Sequence, residues 1–196
     1  MQLGFSFVFP FLLIMALLQG GAGLFGTLCG WRPTLILVLI AAFIVVIPVG
    51  GLPLARWMIS FNANFSISLT AILFCKVTES SFGVKLLDKN ALLTCWIFSL
   101  TAGVILYPMA LGLGIFDPYQ AGWGFSWLFV VVCGVTILLL IIKNRFAVVL
   151  IAAILAYNLR LLESTNLWDY LVDPFMVLVS CIALSSRFLR KLSKRP

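Results

Sequence analysis

The chain is a succession of apolar runs, each close to the length of a bilayer crossing, with the charges gathered near their ends. The runs fall at 3–24, 34–53, 57–75, 91–114, 126–142, 146–162 and 167 or 174–186. A helix needs about 20 apolar residues to cross the hydrocarbon. Lipid satisfies no backbone N–H or C=O, so a run placed there must be helical. Composition removes the soluble alternative: 63% of the 196 residues are hydrophobic and 10% are charged. A soluble domain has roughly half apolar and a quarter charged residues. The spacing therefore predicts an all-α integral membrane protein, a compact transmembrane bundle over 1–186 followed by a basic cytoplasmic tail at 187–196.

The stretch 107–124, YPMALGLGIFDPYQAGWG, punctuates the middle of the chain. Pro108 removes a backbone donor and predicts a bend or a helix end. Asp117-Pro118 predicts a helix start, with Asp as cap and Pro at the first helical position. Asp173-Pro174 repeats that signature, and Asn166 suits the cap of a short helix at 167–172. Trp123 and Trp127 fit the aromatic belt at a membrane boundary.

Charge orients the bundle. The net charge is +7, and Arg187, Arg190, Lys191, Lys194 and Arg195 lie in the tail. With the tail in the cytoplasm and seven crossings, Arg32, Lys76, Lys85, Lys89, Lys143 and Arg145 also fall inside, and only Arg56 and Arg160 fall outside. Asp117, Glu163, Asp169 and Asp173 are then outside, Glu79 and Asp88 inside, and the N-terminus outside. If the third segment dips in and returns, six helices cross, Arg32 and Arg56 exchange sides, and the basic count is unchanged. The third run is long enough to span, which favours seven. The N-terminus lacks a basic leader region, so no cleaved signal peptide is expected.

Several chemistries are excluded. The chain has no histidine, so histidine-ligated haem or metal has no ligands, and no cofactor or metal site is expected. Cys29, Cys75, Cys95, Cys133 and Cys181 form no CxxC pair and are expected as small core residues. The basic residues cluster as a topology signal, not as a nucleic-acid surface. No phosphate loop, Ser/His/Asp set, mid-span charge or inverted repeat appears.

Two groups of polar residues remain. The first gathers at the outer boundary: Arg160 and Glu163, three apart and expected to face one another on a helix end, with Asp117, Asp169, Asp173 and Arg56. The second is the third segment, where Asn62, Ser66 and Thr70 are four apart and predict one helical stripe facing protein or water. Gly26 with Gly30, and Ser99 with Gly103, have helix-contact spacing and admit a homodimer. The leading expectation is a non-catalytic membrane subunit or accessory factor in cell-envelope work, in a bacterial inner membrane. Its outer cluster, Arg56, Asn62, Ser66, Asp117, Arg160, Glu163, Asp169 and Asp173, would meet a lipid head group or another membrane protein. The alternatives are a small carrier or flippase using the third segment, and a lipid-modifying enzyme using the boundary acids.

Overall fold

Backbone amides kept from water must find partners in one another, and in these apolar runs they do so as helices. The computed structural model describes residues 5, 7–23 and 30–193. Helix accounts for 76% of it, with nine α-helices among the described residues. These are α1 (Val8–Gly23), α2 (Trp31–Val46), α3 (Leu54–Phe61), α4 (Ile67–Phe82), α5 (Lys89–Pro108), α6 (Trp127–Ile141), α7 (Phe146–Asn158), α8 (Leu167–Leu171) and α9 (Pro174–Leu192). A two-residue-per-strand hairpin, Pro48–Val49 with Leu52–Pro53, joins α2 to α3.

Long-range contacts fix which end of each helix lies where. One end of the bundle is basic: Arg145 Nη1 donates to the carbonyls of Lys85 and Leu86, Asn144 Nδ2 donates to Thr94 Oγ1, and Gln19 Nε2 donates to Ser81 Oγ. The other end is rich in loops: Phe9 stacks on Phe65 with centroids 3.8 Å apart, and Ser66 N–H donates to Asp173. Thus α1 runs from the loop-rich end to the basic end. Helix α2 returns from Gly30, whose N–H donates to Ser81 O. Helices α4, α5, α6, α7 and α9 continue the alternation, so seven helices run up and down, and α3 and α8 stay at the loop-rich end.

Helix α7 is the centre. Its Phe146, Ala147, Leu150 and Ala153 are fully buried, packed among Ala91 and Cys95 of α5, Leu128 and Val132 of α6, and Leu167, Tyr170 and Leu171 of α8. A second, smaller core joins α1, α2 and α3 through Ile14, Met15, Leu37, Ala41 and Ala55. Helices α5 and α9 meet closely at Gly103, where an added Cβ would overlap the Val177 side chain. Ser99 is also fully buried. The small residues at 99 and 103 are therefore used within the chain. Gly26 lies outside the described residues.

The outer faces are apolar. Leu35, Ile36, Leu39 and Phe43 of α2, and Val130, Ile137, Leu138 and Ile141 of α6, are exposed. Helix α6 carries no charge, WLFVVVCGVTILLLI, yet exposes half its circumference. A helix hydrophobic all round is normally covered on every side, and soluble monomers rarely expose a contiguous apolar patch of this extent. By length and composition, Lys89–Leu113 is the stretch among the described residues long and apolar enough to cross a membrane. Helices α1, α2, α6 and α7 are apolar but have only 13 to 16 residues.

Three expectations change. The third segment is two helices, α3 and α4, divided at 62–66. Asn62 is extended, and Ser66 is the N-cap of α4, its Oγ accepting from Leu69 N–H. Thr70 Oγ1 donates back to Ser66 O. Asn and Ser compete for backbone bonds and favour caps over helix interiors, so the expected stripe is a break followed by a cap. Helix α9 continues through Arg187, Arg190 and Lys191 to Leu192, so the described part of the expected tail is helical, and Lys194 and Arg195 lie outside the described residues. The sixth run stops short of its expected 162, because α7 ends at Asn158 and Arg160 turns left-handed at φ 50°. Of the cysteines, Cys95 is buried and Cys75 half-buried, but Cys133 and Cys181 are exposed. Cys29 lies outside the described residues.

Candidate functional site

The loop-rich end is closed by 159–173 folding back into the bundle. Leu161 N–H bonds to Ala156 O and Arg160 N–H to Tyr157 O, which satisfies the last carbonyls of α7. The chain then needs a second helix start inside a mostly apolar region, and Asn166 supplies it. Its Oδ1 accepts from Trp168 N–H, and its Nδ2 donates to Tyr119 O at 2.9 Å. Asn166 is fully buried, and Gly122 packs so close that a Cβ there would overlap the Asn166 side chain. Trp168 Nε1 donates to Pro118 O at 2.9 Å. These bonds tie 159–173 to the turn Pro118–Gly122, which Asp117 caps by accepting from Tyr119 N–H.

Two further acids take part through hydrogen bonds. Tyr119 Oη donates to Asp169 Oδ2 at 2.9 Å. Burial pushes the Asp169 carboxyl up, against the pull of bonds from Ser164 and Tyr119. Burial also pushes the Tyr119 phenol up, and the neighbouring Asp169 adds to it. Asp173 is 3% exposed and accepts twice. Oδ1 takes Met176 N–H at 2.9 Å, capping α9, and Oδ2 takes Ser66 N–H at 2.7 Å, joining the start of α4. Asn64 Oδ1 accepts from Ser164 N–H, and Asn62 Oδ1 from Asn64 N–H. The Asn62 amide nitrogen is buried without a partner.

Beside this network lies a polar cup of about 230 Å³, lined by Trp123, Tyr157, Asn158, Arg160, Thr165 and Tyr170. Tyr157 and Tyr170 meet edge to face with centroids 5.4 Å apart. Tyr170 is fixed from behind, its Oη donating to Ser164 O and accepting from Leu162 N–H. Burial pushes its phenol up as well. Arg160 is the cation of the cup, a planar group with five donors suited to phosphate or carboxylate oxygens.

The eight residues expected to form the outer cluster thus divide. Ser66 and Asp173 are bonded; Asp117 and Asp169 are linked through Tyr119; Asn62 joins through Asn64. Arg160 lines the cup. Glu163 is exposed, and Lys85–Glu79 is the ion pair among the described residues, so Arg160 and Glu163 do not pair. They do not share a helix face because α7 ends before either. Arg56 stands apart on α3, with its guanidinium 5.9 Å from the Phe7 ring centroid. Tyr119, Ser164 and Tyr170 were not expected. Their only sequence signal is the clustering of aromatic rings and hydroxyls between the boundary acids. No family model matches the chain, and no curated protein or solved structure matches it either.

Proposed function

We propose that the chain is a seven-crossing membrane protein, N-terminus outside and C-terminus cytoplasmic. In this reading it is a non-catalytic subunit or accessory factor of cell-envelope work. Its outer end offers the Arg160 cup to an anionic head group or to a partner protein. The observation that carries this reading is the use of the boundary acids. Asp117 and Asp173 cap helices, and Asp169 holds Tyr119. The oxygens of these three acids serve the scaffold, and within the cup the Arg160 guanidinium is the charged group that can answer a ligand. The alternating helices and the apolar outer faces support the crossings, and the basic end, with Lys85, Lys89, Lys143 and Arg145, supports the orientation. The carrier reading stood on the third-segment stripe, which is divided between a loop and a cap.

Cysteine labelling tests the topology. Single cysteines at Arg56, Asp117 and Glu163, in a background without native cysteines, should react with an impermeant thiol reagent on intact cells. Cysteines at Lys85 and Lys143 should react only after the membrane is opened. Protection at Arg56 with labelling at Asp117 would replace seven crossings by six, and labelling at Lys143 from outside would invert the whole assignment. For the cup, Arg160→Gln should abolish co-purification of the partner or head group that the unaltered protein retains. Equal recovery from both proteins would remove Arg160 from the reading.

A further inference from the structure

The basic end carries a second cavity, remote from the Arg160 cup. A hollow of about 490 Å³ lies between α4, α5 and the turn joining α6 to α7, lined by Lys85, Lys89, Lys143, Arg145, Glu79 and Asp88. Its acids are partly occupied: Glu79 pairs with Lys85 at 3.7 Å, and Asp88 Oδ1 accepts from Ala91 N–H as the cap of α5. Arg145 is pinned by two carbonyls, 3.0 Å from Lys85 O and 3.1 Å from Leu86 O, so one positive group is already positioned. Lys89 and Lys143 have no ion pair among the described residues. The hollow therefore presents uncompensated positive charge at what the positive-inside rule makes the cytoplasmic face.

It does not end there. Glu79, Leu87 and Leu92 also line a groove of about 440 Å³ that continues along the bundle between α1, α4, α5 and α9. Its walls include Leu13, Ile72, Leu73, Trp96 and Phe175, with Lys76 beside the shared mouth. Both volumes are in the roughly 300–1,000 Å³ range of ligand clefts. A free anion would use only the hollow, and a neutral hydrocarbon only the groove. One molecule uses both: a negatively charged head joined to a long apolar chain.

We propose that the basic end binds an anionic glycerophospholipid of the cytoplasmic leaflet, with its phosphate head group among Lys85, Lys89, Lys143 and Arg145 and an acyl chain in the groove between α1, α4, α5 and α9. The proposal rests on the membrane reading above but not on the Arg160 cup. Each basic side chain near a lipid surface is worth about fivefold in affinity. The full-length protein in mild detergent is titrated with phosphatidylglycerol, with phosphatidylcholine of the same chains, and with glycerol phosphate, and bound lipid is counted by native mass spectrometry. Phosphatidylglycerol should bind at least about fivefold tighter than phosphatidylcholine, and glycerol phosphate should not compete. The double variant Lys89→Gln with Lys143→Gln should erase the preference, and Leu73→Trp, which fills the groove, should weaken both lipids while Arg160→Gln changes neither. Equal binding of the two lipids, or a preference that survives the double variant, would overturn the site. Competition by glycerol phosphate would make it a phosphate site without a lipid. Recovery of the protein outside the membrane fraction would defeat the membrane reading first, a result distinct from loss of lipid preference in a membrane-bound protein.

Discussion

Asp173→Ala should be among the most damaging single substitutions at the loop-rich end. The carboxylate is 3% exposed and holds two backbone N–H groups, Met176 at 2.9 Å and Ser66 at 2.7 Å. Loss of the α9 cap costs about 1 kcal/mol. Ser66 is fully buried, and its N–H has no second acceptor among the described residues. An orphaned buried donor costs about 1–3 kcal/mol, so the sum is roughly 2–4 kcal/mol. For a chain of this size each kcal/mol lowers Tm by about 2–4 °C, which predicts a fall of roughly 4–16 °C in detergent. Asp173→Asn keeps one acceptor and turns the other into a donor facing an N–H, so it should fall between Ala and the unaltered protein. Ser66→Ala removes only the Oγ bond to Leu69 N–H and should lose about 1 kcal/mol. Thermal unfolding followed by tryptophan fluorescence measures all three. An Asp173→Ala protein melting within about 2 °C of the unaltered one would refute the claim that this carboxylate joins α4 to α9.

Three further outcomes are expected. Gly122→Ala forces a Cβ into Asn166 and should destabilise by about 1–3 kcal/mol, whereas Gly124→Ala, with open space around it, should change Tm little; the reverse order would show that the turn does not approach Asn166. Gly103→Ala should separate α5 from α9 and be rescued in part by Val177→Ala, since the overlap is with that side chain; an additive double variant in the unfolding assay would exclude the contact. Burial raises the Asp169 carboxyl above its ordinary 3.8, so the folded state binds its proton more tightly than the unfolded state. Its favourable contribution is then complete below the unfolded value and lost as pH rises through the folded one. Tm measured against pH should therefore show Asp169→Asn gaining on the unaltered protein as pH rises above about 3.8; parallel curves would contradict a raised Asp169.

The helices were legible because apolar runs admit little else, and several of their starts because capping chemistry is local. Asp117-Pro118, Asn166 and Asp173-Pro174 each begin a helical turn or helix as their residue types require. The break at 62–66 was not legible. Asn62, Ser66 and Thr70 have the same spacing whether they form a stripe or a loop, a cap and a back-bonded hydroxyl. What decides between them is the second acceptor on Asp173, far away in sequence. The cup was half legible: Arg160 is conspicuous as a cation near an apolar run, but its neighbours Trp123, Thr165 and Tyr170 are assembled by α7 ending early. That ending depends on a left-handed Arg160, and arginine carries no signal for it.

The Ser66–Asp173 bond also sets an order in time. Its partners are 107 residues apart, and a chain emerges at about 5–20 residues per second, so roughly 5–20 s separate their synthesis. Through that interval α4 exists with the donor at its first turn unclaimed. In the membrane reading proposed above, the early half of the bundle inserts first and reaches its finished seating only when the last helix arrives. That helix is a clasp closed at the end of biosynthesis, and a ribosome stalled before Asp173 would release a protein whose first four helices are present but not locked.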